Sequence, residues 1–559
     1  MATKKLMLDY IQEHEIARAN EVYLTQPTGG GHSVDYTWGQ TMDQARRMAA
    51  HLKAQGFEPG FRIAILSKNC AHFIMAEIAI WLAGGTTVAI FPTETADTVR
   101  YVLEHSGASL LFVGKLDTWE LQQAGVPAGL ACIALPLAPK TSFDTWDKII
   151  ARTQPLTGHI QRAPTDICIL MYTSGSTGQP KGVMHSFERA TAASEGIVGC
   201  LKDNAGGNID IRILSYLPLA HIFERAWVEC ASFVYERSHI YFAETLETFL
   251  ADLNRARPNV FISVPRLWLK FQHGVFSKMP PKKLNRLLGI PIIGKLVARK
   301  VLKGLGLDQV LMAGSGSAPI PAELVAWYRK LGLNLLEGYA MTEDFAYSFS
   351  STNTFNAPGC VGVANPGVQM RLSDEGEILI KSPGQLVGYY KRPDLDAEVF
   401  TQDGFFRTGD KGEVNAKGIL KLTGRVKELF KTAKGKYVAP APIENELNSH
   451  PFIEMSMVSG VGQPSAYAMV VLGEDIRPKQ RDPAFRAEVE KELGDLLQRL
   501  NSRLADYEQL RMLVIAPEPW SIENGCLTPT MKIKRAKIEN VAEAQLEAWY
   551  NTKGAVIWA

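Results

Sequence analysis

The densest chemistry in this chain lies at residues 171–182, MYTSGSTGQPKG, directly after the apolar run Ile167, Cys168, Ile169 and Leu170. An apolar run that stops at a Ser/Thr/Gly cluster predicts a buried strand feeding a tight loop. Glycines let backbone N–H groups turn toward an anion, and hydroxyls plus a lysine add donors and charge. Thr173, Ser174, Gly175, Ser176, Thr177, Gly178 and Lys181 therefore suit a polyphosphate. The spacing is not that of a Walker A loop, because Gly-Lys-Ser/Thr is missing from the required place. Further groups stand downstream: a histidine in SYLPLAHIFE (215–224), the small-residue run LMAGSGSAP (311–319), LLEGYAMTE (335–343), Asp410 and Arg425. The last is a lysine in NGCLTPTMKIKR (524–535). A carboxylate that accepts two O–H bonds grips a cis-diol, an aromatic ring gives a flat apolar wall, and a carboxylate oxygen is a hard ligand suited to Mg²⁺.

The order YTSGSTGxPKG resembles the phosphate loop of the acyl-adenylate-forming enzymes, the family of acyl-CoA synthetases, luciferases and peptide-synthetase adenylation domains. Six ordered motifs extend the resemblance over almost the whole chain. LPLAHIFE, the VPR strand at 264–266, KYVAPAPIEN and NGCLTPTMKIKR point to the bacterial long-chain acyl-CoA synthetases. A lone histidine among apolar residues is more often structural, but the resemblance puts His221 beside the acyl carboxylate. It further implies an adenine slot walled by Gly314, Ser315, Gly316, Ser317 and Ala318 on one side. Glu337, Gly338, Tyr339, Ala340 and Met341 form the other side, with the Tyr339 ring stacked on the base. Thr342 meets the α-phosphate, Glu343 helps hold Mg²⁺, Asp410 takes the ribose hydroxyls and Arg425 reaches ribose and phosphate. Lys532 falls at the adenylation lysine, Lys427 at the hinge, and Gly435 in the loop lining the pantetheine tunnel. Met531 occupies a position where many members carry glycine.

The elements that must position these groups read as an α/β fold. Residues 1 to about 165 alternate helical and strand signals, with strands near 62–66, 87–90 and 109–113 and helices near 41–55, 76–83 and 95–105, which argues for parallel sheets flanked by helices. Residues 376–380 and 388–393 resemble the family's small distorted β-barrel, and a small mobile α+β domain follows. The expected division is 1–424 for the N-terminal domain, 425–427 for the hinge and 428–559 for the C-terminal domain. Apolar residues from Phe485 to Leu504 at three- and four-residue spacing predict an amphipathic core helix. His185 and residues 69–72 read as packing.

At 559 residues the chain exceeds a single core. A formal net charge of +2 gives no global pull toward nucleic acid. Seven scattered cysteines without a CxxC pair fit a reducing compartment. The N-terminus lacks the apolar core of a signal peptide, and the apolar stretch 72–91, broken by His72, Glu77, Gly84 and Gly85, reads as a buried helix running into a strand. The expected location is cytoplasmic, with peripheral contact at the inner membrane face as an option. The basic stretch 270–303 reads as a solvated helical face, with an anionic membrane or the CoA phosphates as alternatives. The resemblance implies ATP, Mg²⁺ and coenzyme A, a medium- or long-chain fatty acid, and a monomer or homodimer. The alternatives are an aryl or branched acid, a carrier protein as acyl acceptor, and a non-catalytic nucleotide binder.

Overall fold

The computed structural model describes residues 4–173, 179–433, 435–528 and 531–559. Its largest sheet has eight strands. Six are parallel, in the order Ile167–Thr173, Thr86–Ile90, Arg62–Leu66, Ala108–Val113, Ala131–Ala134, Asp144–Thr145. Lys181–Ser186 and then Gly388–Tyr389 extend it as antiparallel edge strands. The local sequence signals explain the crossovers: helix Trp38–Ala54 opens on a Thr37/Gln40 capping box, and helix Ala96–Ser106 opens on the Thr95 hydroxyl. Helix Ala71–Ala83 is buried at all 13 positions, packed between this sheet and strand Val22–Gly29, which accounts for its all-round hydrophobicity. It stops at Gly84 with φ 102°, and a Cβ on Gly85 would stand 2.4 Å from the Phe61 ring. Both glycines are thus required by the helix-to-strand turn.

Two further sheets complete the large N-terminal part, and both mix parallel with antiparallel pairing. Strands Ile211–Ser215, Ser238–Phe242 and Val22–Gly29 run parallel, with His32–Thr37 closing the edge as a hairpin arm. Strands Val260–Ser263, Met312–Ser315 and Leu335–Tyr339 run parallel, followed by antiparallel Phe349–Ser350 and Val363–Ala364. The expected parallel sheets are therefore mixed ones, because short edge strands return by tight turns that a parallel crossover does not allow.

Residues 369–425 supply a four-stranded antiparallel sheet, Gln369–Leu372, Glu377–Lys381, Phe406–Val414, Leu420–Arg425. Residues 388–389 do not join it, contrary to the sequence expectation. They pair instead with Lys181–Ser186 in the eight-stranded sheet, where Tyr389 faces Val183 and packs in an apolar cluster with Ile378 and Phe406.

The C-terminal part is built on the sheet Ile453–Ser459, Ala466–Leu472, Leu510–Ile515, Val556–Trp558. Alternating residues face two separate cores: Ala468 and Val470 pack against helix Pro483–Asn501, while Tyr467, Met469 and Val471 pack with Ile538 and Trp549. Of the expected helix positions, Phe485, Val489, Leu493, Leu497 and Leu500 are buried, and Leu504 lies past the helix end against the same core. An Arg266–Glu454 ion pair joins the two parts, and Arg477 holds Glu454 from its other side at 2.9 Å.

Candidate active site

The phosphate-loop segment spans the end of an antiparallel pair. Thr173 and Lys181 are register partners at the last rung of strands Ile167–Thr173 and Lys181–Ser186, so the chain leaves and re-enters the pair at one point. Ser174, Gly175, Ser176, Thr177 and Gly178 lie outside the described residues. The Lys181 ammonium lies 5.6 Å from the centre of the Tyr389 ring, and the Tyr389 hydroxyl donates to Glu343 Oε1 at 2.8 Å. A segment read from sequence as β-barrel thus ties the phosphate loop to the candidate metal carboxylate.

Glu343 sits in a single 3₁₀ turn, Thr342–Asp344, at the end of strand Leu335–Tyr339. Three groups fix this turn. Asp344, fully buried, accepts from the Met341 and Tyr347 amides at 3.1 and 3.3 Å. The Leu386 amide donates to the Glu343 carbonyl at 2.7 Å. His185 Nε2 bonds the Thr342 carbonyl at 2.8 Å, and its ring edge meets Phe345. Burial holds His185 down at about 3, so it is neutral at physiological pH and donates through Nε2. Phe345 and Ala346 follow in the left-handed region at φ 57° and 54°, a strained reversal that these contacts sustain.

Across the slot, strand Met312–Ser315 pairs with Leu335–Tyr339, Ser315 opposite Glu337. A Cβ on Gly314 would stand 3.2 Å from Ile262, and one on Gly316 would stand 3.1 Å from Phe223. Ser317 takes φ 67° and Ala318 turns outward. Glu337 is buried, accepts one long bond from the Ile320 amide at 3.4 Å, and is pushed by burial to about 8. Ala340 packs against the largest core, and Met341 against the cluster holding Tyr339 and Tyr389.

Tyr339 is nearly buried, and its hydroxyl donates to Asp410 Oδ2 at 2.6 Å while Arg425 Nε donates to Oδ1 at 2.7 Å. Both carboxylate oxygens of Asp410 are held, and Asp410 faces Arg425 across the strand pair. The Asp410 charge holds the Arg425 guanidinium above its ordinary range. Lys532 reaches this cluster from the C-terminal part. Lys532 is exposed, yet the desolvation it meets among the surrounding protein pulls its pKa down; Arg425 adds to the depression while Asp410 and Glu343 oppose it. The loop carrying it is a tight reversal: Leu527 and Ile533 bridge, the Thr528 amide donates to the Lys532 carbonyl at 2.8 Å, and Met531 sits at φ 62°.

His221 begins a short helical turn and accepts from the Phe223 amide through Nδ1 at 3.2 Å. Burial, and then the Lys532 charge, hold it at about 3. Its loop is stapled by Asn69, which bonds the Leu217 carbonyl at 2.6 Å and the Leu219 amide at 3.0 Å. Glu224 closes the turn from below, accepting from Ser215 Oγ at 2.7 Å and the Tyr216 amide at 3.0 Å, and burial raises it to about 8. A π-helical turn, Arg225–Cys230, follows and directs Trp227 Nε1 to the Ala346 carbonyl at 3.0 Å.

The structure therefore brings together Thr173, Lys181, His221, Tyr339, Glu343, Asp410, Arg425 and Lys532. Gly435 is not among them: it turns the hairpin Phe430–Lys431/Tyr437–Val438, with Thr432 and Lys431 as its neighbours. Lys427 lies outside too, exposed, 3.4 Å from Glu398. Sequence reading missed Tyr389 and Glu224, and took Asn69 and His185 as packing only. Asp344, adjacent to a candidate ligand and followed by an aromatic pair, carried the one local signal.

Among the described residues no group of three His, Cys, Asp or Glu side chains forms a metal site. The donor set still suits Mg²⁺, which binds through one or two carboxylates plus substrate phosphates and water. The Tyr389 bond occupies Oε1 of Glu343 and leaves Oε2 without a protein donor among the described residues.

The AMP-binding enzyme family matches residues 14–390, and the AMP-binding enzyme C-terminal domain matches residues 428–554. The chain is 30% identical to the long-chain-fatty-acid–CoA ligase FadD15 of Mycobacterium bovis, over 92% of each chain. It is 28% identical to the human long-chain-fatty-acid–CoA ligase 1, over 92% of this chain and 83% of that one. The fold matches the A-PCP didomain of a carboxylic acid reductase from Segniliparus rugosus in complex with AMP, at TM-score 0.81 and 23% identity, over 98% of this chain and 83% of that one. It also matches the anthranilate CoA ligase AuaEII in complex with anthranoyl-AMP, at TM-score 0.78 and 21% identity, over 98% and 99%.

Proposed function

This chain belongs to the AMP-binding enzyme family, and from that premise we propose that it is an ATP-dependent fatty acid–CoA ligase. The observation that carries the reading is the convergence of Lys532, from the C-terminal part, on Glu343 and the Tyr339–Asp410–Arg425 cluster of the N-terminal part. A pure nucleotide binder has no need of a distant lysine delivered to the carboxylates that face the phosphates.

In the first half-reaction a fatty acid carboxylate oxygen attacks the α-phosphorus of ATP, and the bond to the bridging oxygen of pyrophosphate breaks. Asp410 grips the ribose hydroxyls, Thr173 and Lys181 steady the leaving phosphates, and the Lys532 ammonium balances charge on the phosphoryl oxygens. Catalysis of this kind is positioning and electrostatics. Bound at Glu343, Mg²⁺ would supply further charge neutralisation to the phosphates. His221, neutral and enclosed, offers its Nε2 to the carboxylate or to the adenylate carbonyl. In the second half-reaction the CoA thiolate attacks the acyl carbonyl, and AMP departs as the C–O bond breaks.

The two halves need different neighbours at one place. With Lys532 in the site, Gly435 is away from it; rotation at Lys427 within 425–427 exchanges them, and 1–424 and 428–559 move as units. The weak exposed Lys427–Glu398 contact offers little resistance to such a turn. Relatives named as long-chain ligases support a long-chain acid, and the seven free cysteines support a reducing compartment. Among the described residues no helix is long and apolar enough to cross a membrane.

The test is pyrophosphate release across acetate to stearate and benzoate, each with and without CoA. Turnover that rises with chain length and requires CoA supports the reading. Adenylate without thioester would move the acceptor to a carrier protein. Lys427→Pro should spare adenylate formation and cripple thioester formation; equal loss of both would remove the hinge.

A further inference from the structure

Residues 265–307 contain ten Lys or Arg and no Asp or Glu, in a chain of 60 basic and 58 acidic residues. Arg266 is spoken for by Glu454; among the described residues the other nine form no ion pair. The segment begins with helix Pro265–Lys278, which leaves strand Val260–Ser263 beside the Met312–Ser315 wall of the site. It continues as two short helices, Pro281–Leu288 and Ile293–Gly304, packed on each other and anchored inward by Leu284 and Ala298.

The outward face is unusual. Leu296 is 64% exposed, and Arg299, Lys300 and Lys303, one turn and two turns further on, flank it on the solvent side. Lys282, Lys283 and Arg286 line the exposed side of the first helix. Between the helices the chain exposes Ile290, Ile292 and Ile293, with Ile292 at 75%. Ile292 has φ 68° and ψ −59°, and the Ile293 amide donates to the Pro291 carbonyl at 2.8 Å, which closes a positive-φ γ-turn. That turn is strained, and a β-branched residue is the worst to place in it. Strain is being held in order to present an isoleucine to solvent.

We propose that this helical pair is a docking surface for an anionic lipid bilayer, with Ile292, Ile293 and Leu296 entering the acyl boundary and the cations meeting lipid phosphates. Charge alone would suit CoA, nucleic acid or any polyanion; the exposed isoleucines have no work there. An apolar tip ringed by cations matches a bilayer's layered chemistry, apolar beneath and anionic at the surface. The placement sets against a membrane, where long acyl chains partition, a helical pair joined through helix Pro265–Lys278 to the strand beside Met312–Ser315. The inference stands apart from the ligase assignment, because binding to vesicles is read without turnover.

The experiment is co-sedimentation of the full-length enzyme with phosphatidylcholine vesicles and with vesicles carrying about one-third phosphatidylglycerol. The enzyme should prefer the anionic vesicles at least about tenfold, since each cation near the surface contributes about fivefold. I292S/L296S should lower binding about tenfold or more, and R299Q/K300Q/K303Q should cut the anionic preference about tenfold or more. Both variants should retain wild-type thermal unfolding and wild-type turnover of hexanoate, a freely soluble acid. Vesicle binding unchanged by both variants overturns the proposal. Loss with the charge variant but not with I292S/L296S would instead mean a soluble polyanion site. A concentration-dependent dimer abolished by I292S/L296S, with no vesicle binding, would assign the face to a second copy.

Discussion

Two walls meet at the end of strand Leu335–Tyr339, and they are built on opposite principles. On the nucleotide side, Asp410 is held by Tyr339 and Arg425, Glu343 by Tyr389, and the ammonium of Lys532 completes the set. Asp410 and Glu343 are held there by bonds of 2.6–2.8 Å from Tyr339, Arg425 and Tyr389. On the side of His221, the charge lies deep. Arg225 stands 3.1 Å from Glu77 and 3.3 Å from Glu229, all three fully buried. Several of their polar atoms lack aligned hydrogen bonds. The first wall leaves its charges at the edge of the slot; the second buries its charge on and against the π-helical turn that aims Trp227 at Ala346. One is machinery, the other a strained foundation.

Breaking the first wall should cost rate rather than stability. Lys532→Ala removes the charge that the proposed mechanism sets against the phosphoryl oxygens, with an expected loss of about 10²–10³ in the adenylation rate. Thioester formation from supplied acyl-AMP should be largely spared, and stopped-flow pyrophosphate release with a parallel thioester assay separates the two. Equal loss in both would mean that Lys532 supports the fold of the site instead.

Breaking the second wall should cost stability. Burial first, and then the Glu77 carboxylate, push Glu229 well above the usual carboxylate range, which favours its proton-bearing form beside Arg225. Arg225→Leu strands a buried carboxylate and should destabilise by about 3–5 kcal/mol in urea unfolding. Glu229→Gln keeps the proton-bearing shape and should cost under about 1 kcal/mol. Equal costs would mean that both carboxylates are ionised.

The same contrast decides what the sequence could reveal. The nucleotide wall is made of residues that sit in short motifs, Tyr339 with Glu343 and Asp410 before Arg425, and the resemblance of those motifs to the family's, rather than their spacing alone, pointed to shared chemistry. The βα signals of residues 41–113 were equally local and lie where expected, because each helix cap and apolar period is written within its own segment. Tyr389 was misassigned because its partners, Val183 and Glu343, are distant in sequence. The Glu77–Arg225–Glu229 triad was invisible for that reason: three ordinary charged residues give no sign that folding will bury them together. The hairpin Val22–Gly29/His32–Thr37 pairs with a strand some 200 residues later, which no local pattern encodes.

A milder probe of the foundation is pH. Burial raises Glu224, Glu337 and Asp344 each to about 8, far above their unfolded values near 4. Raised acids hold protons in the folded state that the unfolded chain has released. Their contribution is complete below the unfolded value and is lost as pH rises to about 8. Stability should therefore decline between about pH 5 and 8 and level off above. Glu224→Gln should remove part of that slope while leaving stability near pH 8 similar or higher. The His221 value of about 3 adds that no histidine inflection from this residue should appear in turnover near neutral pH. An unchanged slope would mean that Glu224 is ionised where it stands.

The smallest effect is expected at Met531, beside Lys532. Its φ of 62° is a left-handed value, which costs an ordinary residue about 1–2 kcal/mol and glycine nothing. Glycine in turn loses about 0.5–1 kcal/mol through the freedom of its unfolded chain. Met531→Gly should therefore raise stability by no more than about 1.5 kcal/mol, while Met531→Val, stiff at χ1 as well, should lower it by about 1 kcal/mol or more. The kinetic outcome separates two roles for the strain. The reversal is already closed by the Thr528–Lys532 bonds and the Leu527–Ile533 bridge. If these suffice to aim Lys532, Met531→Gly leaves the adenylation rate within about twofold, because the loop's shape survives without the side chain. A tenfold fall on glycine, with unfolding unchanged, would mean that the methionine itself restricts the loop and that the left-handed strain is retained to hold the ammonium on the phosphates.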